Sequence, residues 1–303
     1  TSRGLGDVYK RQPLHVQCAA KQQYQPIFTG TNQPRLLYVS NIRPQTSMYP
    51  RMLHAHADAV ELALMYSGSG KFFIHDRYVP VSAGDLLIYN SGVIHDEISS
   101  ADNPIGMYCI TLNGLHMPGL RPNALIADDR NCVISCGEHF ESVRFLFELM
   151  FKQLSSDYPN ASVFCHNMMK ALLVQALTLA ADAPQKSIGK SKRLELALDV
   201  KQYLDAHYTE PITLTDIGQH LHVSHYYLCH VFKDLMGYAP MKYLLRRRLG
   251  EAQTLLISTD TTISKIAESV GFDTQSYFNF QFAKNVGMPP SQYRKNYLVR
   301  AFD

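Results

Sequence analysis

The chain has 303 residues, 46% of them hydrophobic and 18% charged, with a formal net charge of +3. That length accommodates two domains with separate cores, and that balance excludes disordered and fibrous classes. The longest apolar run, near 168–181, is interrupted by Lys170 and Gln175, so it reads as too polar to span a bilayer and no membrane partner is expected.

Residues Thr1–Gln12 resemble a translated transposase end sequence and read as an assembly scar, which places the native start elsewhere. Leaving out Arg3, Lys10, Arg11 and Asp7 lowers the net charge to +1. The six cysteines, at 18, 109, 132, 136, 165 and 229, are scattered. Only Cys132 and Cys136 lie close together, and no second pair completes a zinc set. Free thiols in a reducing cytoplasm are the expectation.

From 35 to 112 the sequence reads as short strands. Apolar stretches at 60–66, 72–74, 86–89 and 107–112 are separated by turn signals at 67–70, 83–85, 90–92 and 102–104. Many short strands with regular turns predict a barrel or sandwich. The period then changes. Val143, Leu146, Phe147, Met150, Phe151 and Leu154 recur at helical spacing over 141–154, and a second helix is predicted over 162–181. Their apolar stripes are wide, which suggests a covered face and a homodimer seam. A polar linker at 184–191 precedes another helix over 192–208.

The last hundred residues carry one pattern twice. Leu214, Ile217, Leu221, Ser224, Tyr227, Phe232, Gly237, Pro240 and Tyr243 are followed by Ile263, Ile266, Val270, Asp273, Tyr277, Phe282, Gly287, Pro290 and Tyr293. The offset is 49 through Asp273 and 50 from Tyr277 onward, so a single residue is inserted between them. Each copy reads as helix, turn, helix. Ser224 caps a helix over 225–236, Gly237 suits the left-handed residue that ends it, and Pro240 opens the next helix. That next helix, over 241–256, is a rod of roughly 24 Å joining the two units. Two recognition helices held near one groove repeat of about 34 Å point to double-stranded DNA as the partner. From 192 to 303 there are 13 Lys and Arg against 11 Asp and Glu, so the expected DNA affinity rests on clustering, with Lys242, Arg246, Arg247 and Arg248 on one helix.

Residues from about 194 to 297 resemble the AraC/XylS family of bacterial transcription regulators. Ile263, Ile266, Ala267, Val270, Gly271, Phe272, Ser276, Tyr277, Phe278, Phe282, Gly287, Met288, Pro289, Pro290, Tyr293 and Arg294 carry the resemblance in order and spacing. It implies that Tyr226, Cys229 and His230 face bases from the first unit and Gln275, Ser276 and Asn279 from the second. Lys233, Arg246, Lys284 and Arg294 are the expected phosphate contacts, which give affinity rather than sequence information. The family usually has Arg or Lys where His230 and Phe280 stand, and Lys or Arg where Ala283 stands. The second helix has therefore lost cations, and the first unit is expected to dominate binding.

In the N-terminal half, His54, His56, Glu61, Gly84, Asp85, Gly92 and His95 resemble the two motifs of the cupin superfamily, an arrangement shared by sensor domains of AraC-type regulators. His54 and His56 are expected on one face of a strand, with His95 converging on them. The second motif carries Ser99 where the superfamily has Asn. The effector-binding residues expected are His54, His56, Glu61, Phe73, His75 and His95, with Tyr38, Tyr89 and Met107 nearby. A metal-free polar pocket for a sugar or related polar metabolite is the main expectation, with no cofactor. The alternative is a divalent transition metal on His54, His56, Glu61 and His95.

The expected fold class is α+β and multidomain: a cupin-like β-barrel over 13–135, a helical linker or dimerisation region over 136–183, and an all-α tandem helix-turn-helix domain over 192–303, its units at 212–243 and 261–297. The expected function is a cytoplasmic, effector-controlled transcription regulator that engages RNA polymerase and is not an enzyme. The rival is a metal-dependent cupin enzyme or metal sensor fused to a DNA-binding domain.

Overall fold

The computed structural model describes residues 26–297 except 31, 46, 48, 99–102, 157 and 182–191. The segment 1–12, the linker at 184–191 and Ser99 lie outside the described residues. The N-terminal half is built from two antiparallel sheets. One has strands β1 (Arg35–Ile42), β8 (Gly106–Asn113), β3 (Val60–Ser67), β6 (Asp85–Tyr89) and β9 (Val133–Ser135) in that order. The other runs β2 (Arg51–His54), β7 (His95–Glu97), β4 (Ser69–Ile74) and β5 (Arg77–Ser82).

Alternation along the strands sorts each sheet's two faces. Ala63, Met65, Leu87, Tyr89, Met107 and Cys109 of the first sheet meet Phe72, Ile74, Val79 and Val81 of the second in a shared interior. The neighbours Leu62, Leu64, Leu86, Ile88 and Ile110 face outward. They are covered by helices α1 (Phe140–Ser155) and α2 (Ala161–Ala181) through Val143, Phe147, Met150, Met169, Leu172 and Leu173. Helix α2 matches the expected 162–181 within one residue. By length and composition it suffices to cross a membrane, yet one face packs in this core.

The C-terminal half has helices α3 (Lys192–Ala206), α4 (Leu214–His220), α5 (His225–Met236), α6 (Pro240–Ser258), α7 (Ile263–Ser269), α8 (Gln275–Val286) and α9 (Pro290–Tyr297). The repeat is visible in the backbone. Thr213 and Thr262 cap α4 and α7, and Thr213 forms a reciprocal capping box with Asp216. His222 at φ 54° and Gly271 at φ 88° take equivalent left-handed positions in the two turns. Ser224 and Thr274 cap α5 and α8. The equivalent of Ser224 is thus Thr274, not Asp273, so the inserted residue lies inside the second turn. Gly237 and Gly287, at φ 76° and 92°, end the two recognition helices.

The two units have separate cores. Ile217, Leu228, Val231, Phe232 and Tyr243 fill the first, and Leu249, Ile266, Phe278, Phe282 and Tyr293 the second. Helix α6 lends one half to each. The outer face of the β2–β7–β4–β5 sheet rests on this domain, with Leu53, Phe73 and Ile94 in the first core and Met52 in the second.

Candidate nucleic-acid interface and effector site

Of the six residues expected to face bases from the recognition helices, four are exposed and two are half-buried. Tyr226 is 82% exposed. His230, Gln275 and Ser276 are exposed, and Cys229 and Asn279 are half-buried. His230 Nε2 lies 3.4 Å from Asp234, which also accepts from Arg193 at 2.9 Å. Asn279 turns its Oδ1 inward, where it has no hydrogen-bond partner among the described residues. Lys233 and Lys284 are exposed, and Lys284 lies over the Phe280 ring at 5.8 Å.

Two expected phosphate contacts are placed otherwise. Arg246 is buried, ion-paired to Asp96 at 2.8 Å and set over the Tyr238 ring. Arg294 donates to the carbonyls of Leu256 and Thr261, closing the C-terminal end of α6. The rest of the arginine run is also turned inward. Arg247 bonds Glu251 at 2.9 Å and covers the Tyr208 ring, while Arg248 donates to the carbonyls of Tyr208 and Glu210. The run therefore holds the domain together; it is not a basic patch. A helix wheel hints at this, because three consecutive arginines cannot share one face.

Inside the barrel, His54, His56, Glu61 and His95 converge, with ligand atoms all within 4.8 Å of one another. Strand β2 ends at His54, so His56 enters from the following turn instead of sharing its strand face. His54 Nδ1 donates to Met52 O at 2.9 Å and His95 Nδ1 to Val93 O at 3.0 Å. A carbonyl only accepts, so both rings carry their proton on Nδ1 and leave Nε2 as a lone-pair donor inside the site. Glu61 Oε2 lies 2.7 Å from His56 Nε2 and accepts from Thr111 at 3.2 Å. Tyr89 stacks on His95 at 3.8 Å, and its hydroxyl and His95 Nε2 are buried without hydrogen-bond partners among the described residues.

Burial pushes His54 well below the usual imidazole range and His95 down to about 4. Burial also works against the Glu61 carboxylate, but the hydrogen bond and charge of His56 outweigh it and hold the group low, at about 2. The sequence reading missed Glu97. It points into the same interior, and burial followed by the charge of Glu61 pushes its carboxyl up to about 8. The available signal was parity: on a strand, a residue two beyond His95 shares its face.

Phe73 and His75 do not line the cluster. Phe73 faces the helical domain, edge-on to Tyr243 and Tyr78. His75 sits exposed in the turn between β4 and β5 at φ 62°. Strand alternation explains the first, because Phe72 takes the inward place.

Residues 37–158 match the family model described as an AraC-like ligand binding domain, and 217–296 match one described as a helix-turn-helix domain. Among curated relatives, the chain is 26% identical over 245 residues to the uncharacterized HTH-type transcriptional regulator YdiP of Escherichia coli (strain K12), covering 80% of this chain and 81% of that one. It is 23% identical over 244 residues to the lactose operon transcription activator of Staphylococcus xylosus, covering 78% and 84%. Among solved structures, the C-terminal domain of AraT, a response regulator from Geobacillus stearothermophilus, is 33% identical and covers 37% of this chain and 94% of that one, at a TM-score of 0.36. With an AraC-like ligand binding domain ahead of a tandem helix-turn-helix domain, this chain belongs to the AraC/XylS family of DNA-binding transcription regulators.

Proposed function

We propose that the chain is an effector-controlled regulator that reads duplex DNA with α5 and α8. Tyr226, Cys229 and His230 take the bases of one half-site, and Gln275, Ser276 and Asn279 those of the other. The observation that carries this reading is the exposure of Tyr226 and Gln275 on recognition helices capped and closed alike. Gln pairs bidentately with adenine, and Tyr reaches a thymine methyl or a phosphate. Lys233 and Lys284 supply phosphate contacts. The test is a mobility-shift titration on a duplex that the wild-type protein has selected from random sequence. Y226A with H230A abolishes binding, whereas Q275A with N279A weakens it; equal losses contradict dominance by the first unit. K233A and K284A each lower the salt slope by about one, uniformly across sequences.

The effector is a small polar molecule held at His54, His56, Glu61 and His95, with Glu97 and Tyr89 completing the site. A sugar or related metabolite suits these hydrogen-bonding groups, and the name of the lactose operon relative points the same way. The effector biases one domain arrangement over another and so controls DNA and RNA polymerase binding in the cytoplasm, without catalysis. A thermal-shift panel of sugars and polyols tests this; a midpoint unmoved by every member contradicts it.

A second reading has support from one observation, the convergence of four donor atoms within 4.8 Å. Two Nε2 atoms freed by backbone-anchored Nδ1 groups and an ionised Glu61 fit a divalent transition metal. His54, His56, Glu61 and His95 would hold it, and it would supply charge for an anionic effector. Elemental analysis of the purified protein separates the readings: stoichiometric metal favours the second, and none favours the first.

The chain forms a homodimer through α1 and α2. Phe145, 60% exposed, and Val163, 63% exposed, lie on those helices with Phe164 and Val174, outside the core their other faces enter.

A further inference from the structure

The strands that carry the histidine cluster also grip the helix between the two recognition units. On β7, His95 and Glu97 point into the barrel while Asp96 points out to Arg246 at 2.8 Å. On β2, His54 belongs to the cluster, and the three residues before it belong to α6. Arg51 donates to Gly250 O and Thr254 Oγ1. Gln253 answers the unpaired edge of β2, accepting from Met52 N at 2.8 Å and donating to Pro50 O at 3.0 Å. Gly250 is what allows this approach, since a Cβ there would collide with the carbonyl of Leu53.

The grip straddles the repeat. Leu53 enters the core of the first unit and the adjacent Met52 enters the core of the second. Tyr78 packs against Gly237, where an added Cβ would lie 2.8 Å from its ring, and Tyr49 packs against Gly287, at 3.3 Å. Those two glycines are equivalent positions of the repeat, each ending a recognition helix. Meanwhile Tyr226, Gln275 and Phe280 remain exposed, so the docked barrel leaves the reading surface uncovered.

We infer that the barrel is a clasp across both units: it sets the separation of α5 and α8 through β2, and a change at the cluster reaches α6 through β2 and β7. Its regulatory sense rests on the cluster being the effector site, but the mechanical link is measured without any effector. Besides α6, the two units meet where Gly271 packs on the Thr209 carbonyl and where Arg248, bonded to Tyr208 and Glu210, lies over the Phe272 ring; β2 adds a tie that reaches both cores. Moving His95 or His54 displaces the neighbours Asp96 and Leu53 on the opposite face of the same short strands.

The experiment is pulsed dipolar spectroscopy on the full chain, with nitroxides on ketone-bearing residues replacing Tyr226 and Phe280. With labelled chain diluted into excess unlabelled chain, so that a dimer carries one labelled protomer, the otherwise unaltered protein gives one narrow distance distribution. Gly250→Leu, which wedges β2 away, shifts and broadens it, and so does the pair Tyr49→Ala with Tyr78→Ala, which removes contacts without inserting bulk. His95→Gln, which touches nothing in the helical domain, shifts it as well. An unchanged distribution in both Gly250→Leu and the tyrosine pair overturns the clasp. A change in those variants with none in His95→Gln overturns the link to the cluster. Failure of the effector reading shows separately, as a ligand panel that leaves the thermal midpoint unmoved.

Discussion

The side chains that matter most between the two halves are a buried ion pair. Asp96 is fully buried and accepts from both Arg246 and the Phe73 amide. Burial pushes its carboxyl up to about 6 even though Arg246 pulls the other way. Such a pair adds little net stability, but breaking it strands a buried charge. D96N should therefore cost about 3–5 kcal/mol in urea unfolding of the full chain. D96N combined with R246M should recover much of that, and a double variant no better than the single one contradicts the pairing. The resemblance to the two cupin motifs marked His54, His56, Glu61 and His95 in the sequence. Sequence alone placed Arg246 at DNA because a cationic side chain on a helix carries no sign of the strand that will cover it. Glu97 stayed hidden for the same kind of reason: its inward face follows only once β7 is known to be a strand.

At the level of elements, the helical repeat was legible because its stops and starts are local chemistry. Ser224, Gly237 and Pro240 each act within a few residues of their position, so the boundaries of α5 match the reading. The second turn was misread by one residue, since Asp273 and Thr274 are both good caps and only the backbone decides. Loss of the Thr213 cap in T213A should cost about 1 kcal/mol, read as a lower unfolding midpoint. G237A and G287A each force alanine into left-handed backbone, at about 1–2 kcal/mol. G237A should cost more than G287A, because its new methyl also presses on Tyr78. Equal losses would mean that Tyr78 yields freely. Several strands, β1, β2, β5, β7 and β9, were not separable by eye; β7 and β9 have three residues each, too short for a period to register.

For the whole molecule, the two-half organisation followed from the change of period, from short strands to helices. How the halves dock did not, because it depends on contacts such as Arg51 to Gly250, some two hundred residues apart in sequence. The barrel is covered on one side by α1 and α2 and on the other by the helical domain, which leaves Phe145 and Val163 on the outer stripe of α1 and α2 exposed, the face of the proposed dimer. Light scattering should give twice the chain mass, and F145E with V163E should halve it. The central claim is that two like helices on one rod read one duplex. Hydroxyl-radical footprinting on the selected duplex tests it most directly. The account predicts two protected segments on the same face, about one helical turn apart, with the segment opposite α8 lost in Q275A/N279A. A single protected segment, or two on opposite faces, would contradict it.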